Sequence, residues 1–147
     1  MANTQNTILL RGDFGRKDEA PALAANIKPG MLIDLNSAGQ LIPHGTADGF
    51  GCMNVAYEDV VNGGKTITDT CAAGDNIPFY HLLGGCKVLL LLKGNANYPV
   101  GTKLASAGDG TFQAAGAGTK QVFAIVARGA GINLTALPNT LVACDVV

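Results

Sequence analysis

The sequence predicts an all-β fold, a small β-barrel or β-tulip-like domain of short strands with an extended N-terminal arm. Three observations lead to this prediction. The 147-residue chain contains 20 Gly and 6 Pro, residues that interrupt helices and mark turns. Short apolar or alternating runs recur at spacings of roughly 8–12 residues, with turn residues between them. No stretch after residue 30 has the apolar period of an amphipathic helix.

Residues 1–25 differ in composition from the rest of the chain. They contain six charged residues and a single apolar run, Ile8, Leu9 and Leu10. Such a segment cannot bury a core of its own, so we predict an extended arm over 1–25, with a helical turn over 18–25, and a barrel domain over 26–147. An arm with one apolar stripe docks either on a partner or, as a first strand, on its own domain, and the sequence leaves both open.

From residue 26 onward the chain alternates between apolar runs and turn signals. Asn-Ser-Ala-Gly at 36–39, Asn-Gly-Gly at 62–64 and Asp-Gly at 109–110 are turn sequences. Residues 86–93 form a nearly continuous apolar stretch, which predicts a strand buried on both faces. The predicted strands are 31–35, 40–42, 50–57, 65–68, 77–81, 86–93, 102–106, 111–113, 121–128, 132–135 and 141–147.

The charge balance excludes several classes of partner. Only 14% of residues are charged and the net charge is −1, so nucleic-acid binding by bulk charge is not expected. The longest apolar run, 88–92, is far shorter than the ~20 residues of a membrane-spanning helix, and the polar start of the chain does not resemble a secretory signal. A surface with so few charges is prone to association, which indicates that other chains cover part of it.

No constellation of residues predicts catalysis, a metal or a cofactor. We expect His44 to be a solvated loop residue and His81 a barrel side chain, and there is no G-x-S-x-G nucleophile motif. Four scattered cysteines lack the close spacing of zinc ligands, so we expect buried free thiols in a reducing compartment: Cys52, Cys71, Cys86 and Cys144. The chain is therefore predicted not to be an enzyme.

Part of the sequence resembles the head decoration (capsid cement) proteins of tailed bacteriophages. The resemblance covers residues 26–147 and consists of turn chemistry and apolar strands, while residues 80–97 depart from the pattern. Its parts are a Pro-Gly approach, a strand, a Ser-Ala-Gly turn and a return strand at 29–43, a strand at 50–56, a Gly-Asp at 74–75, a second hairpin at 101–110, and strands at 122–127 and 141–147.

The resemblance implies a non-enzymatic homotrimer that binds the major capsid protein on the outer surface of the virion, after synthesis in the host cytoplasm. On this hypothesis the arm binds the capsid. Thr7, Ile8, Leu9 and Leu10 would add to an exposed strand edge of a capsid subunit, with Arg11 as a polar clamp and Phe14 as an apolar anchor.

Two alternatives remain open. One is a tail, fibre or surface-adhesion module that contacts a host receptor, with the Gly- and Ala-rich loops of 105–118 at its tip. The other is a small barrel enzyme or ligand carrier, for which the sequence offers no convergent polar groups.

Overall fold

A computed structural model describes residues 7–12, 14–60 and 64–147, with the side chain of Phe14 outside the description. The described residues form thirteen short strands and no helix, which confirms the all-β prediction. The strands are β1 (Leu9–Arg11), β2 (Phe14–Pro21), β3 (Ile33–Leu35), β4 (Leu41–Pro43), β5 (Asn54–Ala56), β6 (Asn76–Leu82), β7 (Lys87–Leu92), β8 (Asn97–Tyr98), β9 (Lys103–Ser106), β10 (Phe112–Ala114), β11 (Ala124–Val126), β12 (Ile132–Asn133) and β13 (Thr140–Val146).

Five strands close into a barrel in the order β7-β10-β9-β11-β13, and the antiparallel pairing of β13 with β7 completes the ring. The β7–β13 ladder is the longest in the barrel and runs from Thr140 opposite Leu92 to Asp145 opposite Lys87. All five residues of β7 from Val88 to Leu92 are buried. This explains why the sequence of β7 is a continuous apolar run, since one face lines the barrel interior and the other is covered by the second sheet.

One edge of β7 is shared by three segments of the chain. The N–H of Leu89 donates to the carbonyl of Ile8 at 2.8 Å, that of Leu91 to Gly30 at 2.9 Å, and that of Lys93 to Phe112 at 2.8 Å. The intervening residues of β7 pair with β13 on the opposite edge. Every second N–H of β7 is thus satisfied by a different part of the sequence, which ties β1, the turn before β3 and β10 to one strand.

A three-stranded sheet, β2-β6-β5, packs beside the barrel, and β3 and β4 form a hairpin next to it. The larger core lies inside the barrel around Leu90, Leu104, Phe112 and Phe123. A second core lies between the three-stranded sheet and the β3–β4 hairpin and includes Phe79. Leu141 packs against both cores, so the two layers form a continuous interior.

The predicted turn at 36–39 is present, and its geometry explains its sequence. The Asn36 side-chain carbonyl accepts hydrogen bonds from the N–H groups of Ala38 and Gln40, both at 2.9 Å. Gly39 has φ of +74°, a conformation that favours glycine. This turn sets the register of the hairpin, in which Leu35 lies opposite Leu41.

The described part of the N-terminal segment is extended and pairs with strands of residues 26–147, and the boundary at residue 25 stays a prediction. Strand β1 pairs with β7, and β2 pairs with β6 over its whole length. The helical turn predicted over 18–25 is wrong, because the chain stays extended to Pro21. The backbone groups of this segment find partners in strands far along the chain, which no local pattern could show.

Most other predicted strands are observed at shorter lengths, with two differences. Residues 65–68 do not form a strand, and only Lys65 makes an isolated bridge, to Asp59. Strand β8 was not predicted, because its two residues carry no alternation, and it exists by pairing with β12.

Candidate interaction surface

The six residues predicted to bind a capsid lie along β1 and the start of β2. Thr7 and Arg11 are exposed, Leu9 and Leu10 are partly buried, and Ile8 is 0% exposed. Phe14 begins β2 opposite Leu82, and its side chain lies outside the described part. The apolar run of the segment therefore packs on the barrel of its own chain, as the first-strand alternative expected.

The backbone of β1 still offers one edge to solvent. Because Ile8 accepts from Leu89, antiparallel geometry turns the N–H and carbonyl of Leu9 away from β7. The N–H of Ile8 is held by the Glu58 carboxylate at 3.0 Å. No strand of the described chain pairs with the outer edge of β1. A strand of another protein could therefore add to β1 at Leu9. It would pair with a strand that is already ordered and not with a free arm.

Strand β2 is a second edge, and it carries four consecutive charged residues, Arg16 to Glu19. The guanidinium of Arg16 lies 2.8 Å from the Asp18 carboxylate. The Lys17 ammonium lies 5.1 Å from the centroid of the Tyr57 ring, which stacks on Tyr80 at 4.0 Å. Each of these two contacts of an exposed charged side chain is worth only about 0–1 kcal/mol.

His81 lies across from Arg16 on β6, with 3.3 Å between its Nε2 and the guanidinium. Burial is the largest cause of the lowered pKa of His81. The charge of Arg16 lowers this pKa further, whereas the carboxylate of Asp18 raises it. The imidazole is thus held neutral beside a permanent cation, and its role is to accept a hydrogen bond from Arg16. No carboxylate within hydrogen-bond distance orients it for proton transfer among the described residues.

Large apolar side chains are exposed at several places on the surface. Phe50 is 71% exposed and Val147 is 61% exposed, the two highest fractions among them. The others are Leu23, Leu35, Val60, Leu83, Val100 and Leu137. Exposed apolar side chains on a surface with few charges favour association, which stays a prediction for this protein.

His44 is not a solvated loop residue, because its side chain is buried between β4 and β9. Its Nδ1 lies 2.7 Å from the Ser106 hydroxyl, and its Nε2 lies 3.0 Å from the carbonyl oxygen of Phe50. The carbonyl oxygen of Phe50 can only accept a hydrogen bond, so Nε2 of His44 carries a proton. In the neutral ring, Nδ1 then accepts from the Ser106 hydroxyl, whose oxygen accepts from the N–H of Gly108 at 3.1 Å. The imidazole therefore fixes the loop before β5 to the end of β9.

Ser106→Ala is expected to lower the free energy of unfolding by about 1–3 kcal/mol, because Nδ1 of the buried His44 loses its donor. Urea unfolding monitored by circular dichroism measures the change. Ser37→Ala, in the exposed β3–β4 turn, is the matched control and should change stability by less than about 0.5 kcal/mol. Equal stability of the Ser106→Ala variant and the parent would contradict the assigned network.

The cysteines are free, and three of the four are buried as predicted, whereas Cys52 is exposed. Burial raises the pKa of the Cys144 thiol to about 12, with a further contribution from Asp145. This thiol stays protonated and behaves as a small apolar side chain. No group of three or more metal-binding side chains occurs among the described residues.

A cavity of about 280 Å³ opens between the three-stranded sheet and the loop around residues 65–75. Two of its three carboxylates cap turns: Asp69 accepts from the N–H and hydroxyl of Thr66, and Asp75 accepts from the N–H of Ala72. The hydrogen bonds from Thr66 lower the pKa of Asp69. Asp69 and Asp75 thus stabilise turns.

Within the described ranges there is no helix long and apolar enough to cross a membrane. Comparison with known proteins found no matching protein-family model and no matching curated protein. The interpretation of function therefore depends on the sequence pattern and the geometry described above.

Proposed function

We propose that this protein is a non-enzymatic structural protein of a tailed-bacteriophage virion, which binds the outer surface of the capsid as a homotrimer and stabilises its lattice. The observation that carries the proposal is the order of elements over residues 26–147. Both hairpins of the resemblance fold as hairpins, β3–β4 and β9–β10. Each is followed by a strand that is buried over its whole length in β5 and at two of three residues in β11.

Two features of the surface support this role. The exposed apolar side chains and low charge suit a protein that is covered by neighbours in an assembly. The potentially reactive groups described above are engaged structurally: His44 in a buried network and Asp69 in a turn. Stabilising a capsid lattice by binding requires neither catalysis nor a cofactor.

Strand β1 remains the proposed capsid contact, but as an ordered strand of the barrel sheet and not as a free arm. Leu9 would add its outward backbone groups to a capsid strand, and Arg11 would contact an acidic group beside it. Because β1 is already ordered against β7, docking avoids the cost of about 1–2 kcal/mol per residue for fixing a free backbone. Three such edges on one trimer would act together through effective concentration.

Arg11→Glu is expected to lower occupancy on capsids at least tenfold, because it places a repelling charge at the proposed contact. The measurement is co-sedimentation with expanded capsids assembled from the major capsid protein of the same phage. Arg128→Glu, an exposed arginine in the turn after β11, is the control and should leave occupancy unchanged. Point variants are required here because deleting the segment would also remove the buried Ile8.

Three outcomes decide the proposal. Saturable binding that Arg11→Glu weakens supports it, while equal binding of both variants contradicts the assigned contact. Absence of binding by the parent protein contradicts capsid decoration itself. Binding to host cells without binding to capsids would favour the adhesion alternative, in which an exposed aromatic side chain such as Phe50 contacts the receptor.

A further inference from the structure

The outer edge of β2 has a hydrogen-bonding pattern that can be derived from its neighbours. The carbonyl of Pro78 accepts from the N–H of Tyr57 in the direction of β5, so the backbone groups of Pro78 face away from β2. Glu19 lies opposite Pro78, and its own N–H and carbonyl must therefore point away from β6. Two residues earlier, Lys17 points the same way, because the direction alternates along a strand.

The residues after β2 confirm this alternation. The N–H of Ala22 donates to Asp75 on the β6 side at 2.8 Å, and the N–H of Leu23 donates to Leu41 on the opposite side at 3.0 Å. Even-numbered residues thus face β6 and odd-numbered residues face outward. Strand β4 covers the outer edge at Leu23, and in the described chain no strand covers it at Lys17 or Glu19.

We infer that β2 pairs antiparallel with β2 of a second copy of this chain, about a two-fold axis at Asp18, joining two three-stranded sheets into one of six strands. In an antiparallel pair, outward-facing residues must lie opposite outward-facing residues. The register that uses both Lys17 and Glu19 places Lys17 opposite the second copy's Glu19, and Glu19 opposite its Lys17. Each of these pairs exchanges two backbone hydrogen bonds.

Charge complementarity selects a second copy as the occupant. Charged residues on an edge strand normally discourage pairing, but here Lys17 and Glu19 lie opposite each other's counterparts when one strand is reversed about Asp18. Lys17 and Glu19 are both exposed, lie on one face and form two opposite-charge pairs across the axis.

On the other face of the sheet, this register places two like charges opposite each other, and Arg16 lies beside the carboxylate of its own chain. Asp18 lies opposite the second copy's Asp18, but each carboxylate already has the Arg16 guanidinium at 2.8 Å. Across the axis the two carboxylates are adjacent, with one guanidinium outside each of them, and the four groups together have no net charge. The N–H of Glu19, which donates to the Asp18 side chain at 2.9 Å in the single chain, transfers to the carbonyl of Lys17 in the second copy.

Charge reversal tests this pairing in the free protein. Lys17→Glu alone and Glu19→Lys alone place like charges opposite each other, and each is expected to weaken self-association about tenfold or more. An equimolar mixture of the two variants restores opposite charges in the heterodimer, and so does the double variant. Sedimentation velocity reads out this association as a species of twice the mass of the oligomer that the single variants form, in multiples of the 15.0 kDa chain.

Two controls accompany this measurement. Lys103→Glu, at an exposed lysine on β9, should leave self-association unchanged. Circular dichroism of Lys17→Glu checks that loss of its contact with Tyr57 does not unfold the sheet. A parent protein whose association is the same in both single variants, or which shows no two-fold species, overturns the inference.

Cross-linking tests the register. With Cys52→Ser as background, Asp18→Cys should form an intermolecular disulfide with oxidised glutathione, because non-hydrogen-bonded pairs bring Cα atoms to about 4.5 Å. Arg16→Cys should not, since the two copies of residue 16 lie about 13 Å apart along the strands. Preferential cross-linking at residue 17 would overturn the axis at Asp18. All of these measurements use protein without capsids, so their failure is distinct from failure of the proposed capsid binding.

Discussion

Phe112→Ala is expected to lower the free energy of unfolding by about 3–5 kcal/mol, the largest effect of any substitution considered for this protein. Phe112 is 0% exposed, and its ring meets that of Phe123 edge-on at 6.2 Å between centroids. Its backbone also pairs with β9 on one side and with β7 on the other, so the surrounding strands cannot collapse into the space left by the ring. Urea unfolding with an unchanged m-value measures the loss.

Phe50→Ala is the matched control, because it removes the same side chain from a position that is 71% exposed. It should change the stability of the isolated chain by less than about 0.5 kcal/mol. A similar loss in both variants would contradict the placement of Phe112 in the barrel interior. A control that stays folded also provides a reagent for testing whether Phe50 contributes to assembly.

Gly30→Ala is expected to cost about 3 kcal/mol, from strained backbone and crowding together. Gly30 is buried with φ of +87°, and it receives the N–H of Leu91 while donating to the carbonyl of Ala56 at 2.8 Å. An added Cβ would lie 3.2 Å from the carbonyl oxygen of Leu89 and would also collide with the Leu141 side chain. The turn would have to move away from β7, and the hydrogen bond from Leu91 would be lost.

Gly39→Ala separates these two contributions. Gly39 also has a positive φ, +74°, but a Cβ there would meet no atom within 4 Å. This control should lose only the backbone contribution, about 1 kcal/mol. If both variants lose the same amount in urea unfolding, the close approach of Gly30 to β7 is not what makes glycine necessary there.

Because the N-terminal segment is paired within its own chain, a partner would bind an ordered strand edge. A free arm gains affinity by ordering on its partner, whereas β1 and β2 are already paired with β7 and β6. Their outer edges are rigid templates that lose little entropy when another strand adds. The proposed capsid contact at β1 and the inferred self-pairing at β2 use separate edges, so one chain can make both.

Local sequence patterns were sufficient to predict the fold class, one turn and the most buried strand of this protein. The turn at Asn36 and Gly39 could be predicted because its side-chain hydrogen bonds and positive φ arise within five residues. The buried strand β7 was predicted for a similar reason, since burial on both faces requires a continuous apolar run. The turn residues, the regularly spaced short apolar runs and the absence of helical periodicity together predicted the all-β class, which the structure confirms.

Tertiary structure alone decided where these elements meet. The run at Ile8 could have covered another protein or its own barrel, and only the free backbone edge of β7, eighty residues later, settles which. His44 looks like any loop histidine until Ser106 and Phe50 are brought to its two nitrogens. Both outcomes depend on hydrogen-bond partners far apart in sequence. Short-range patterns show which groups need a partner, and the closure of the barrel determines which partner each of them finds.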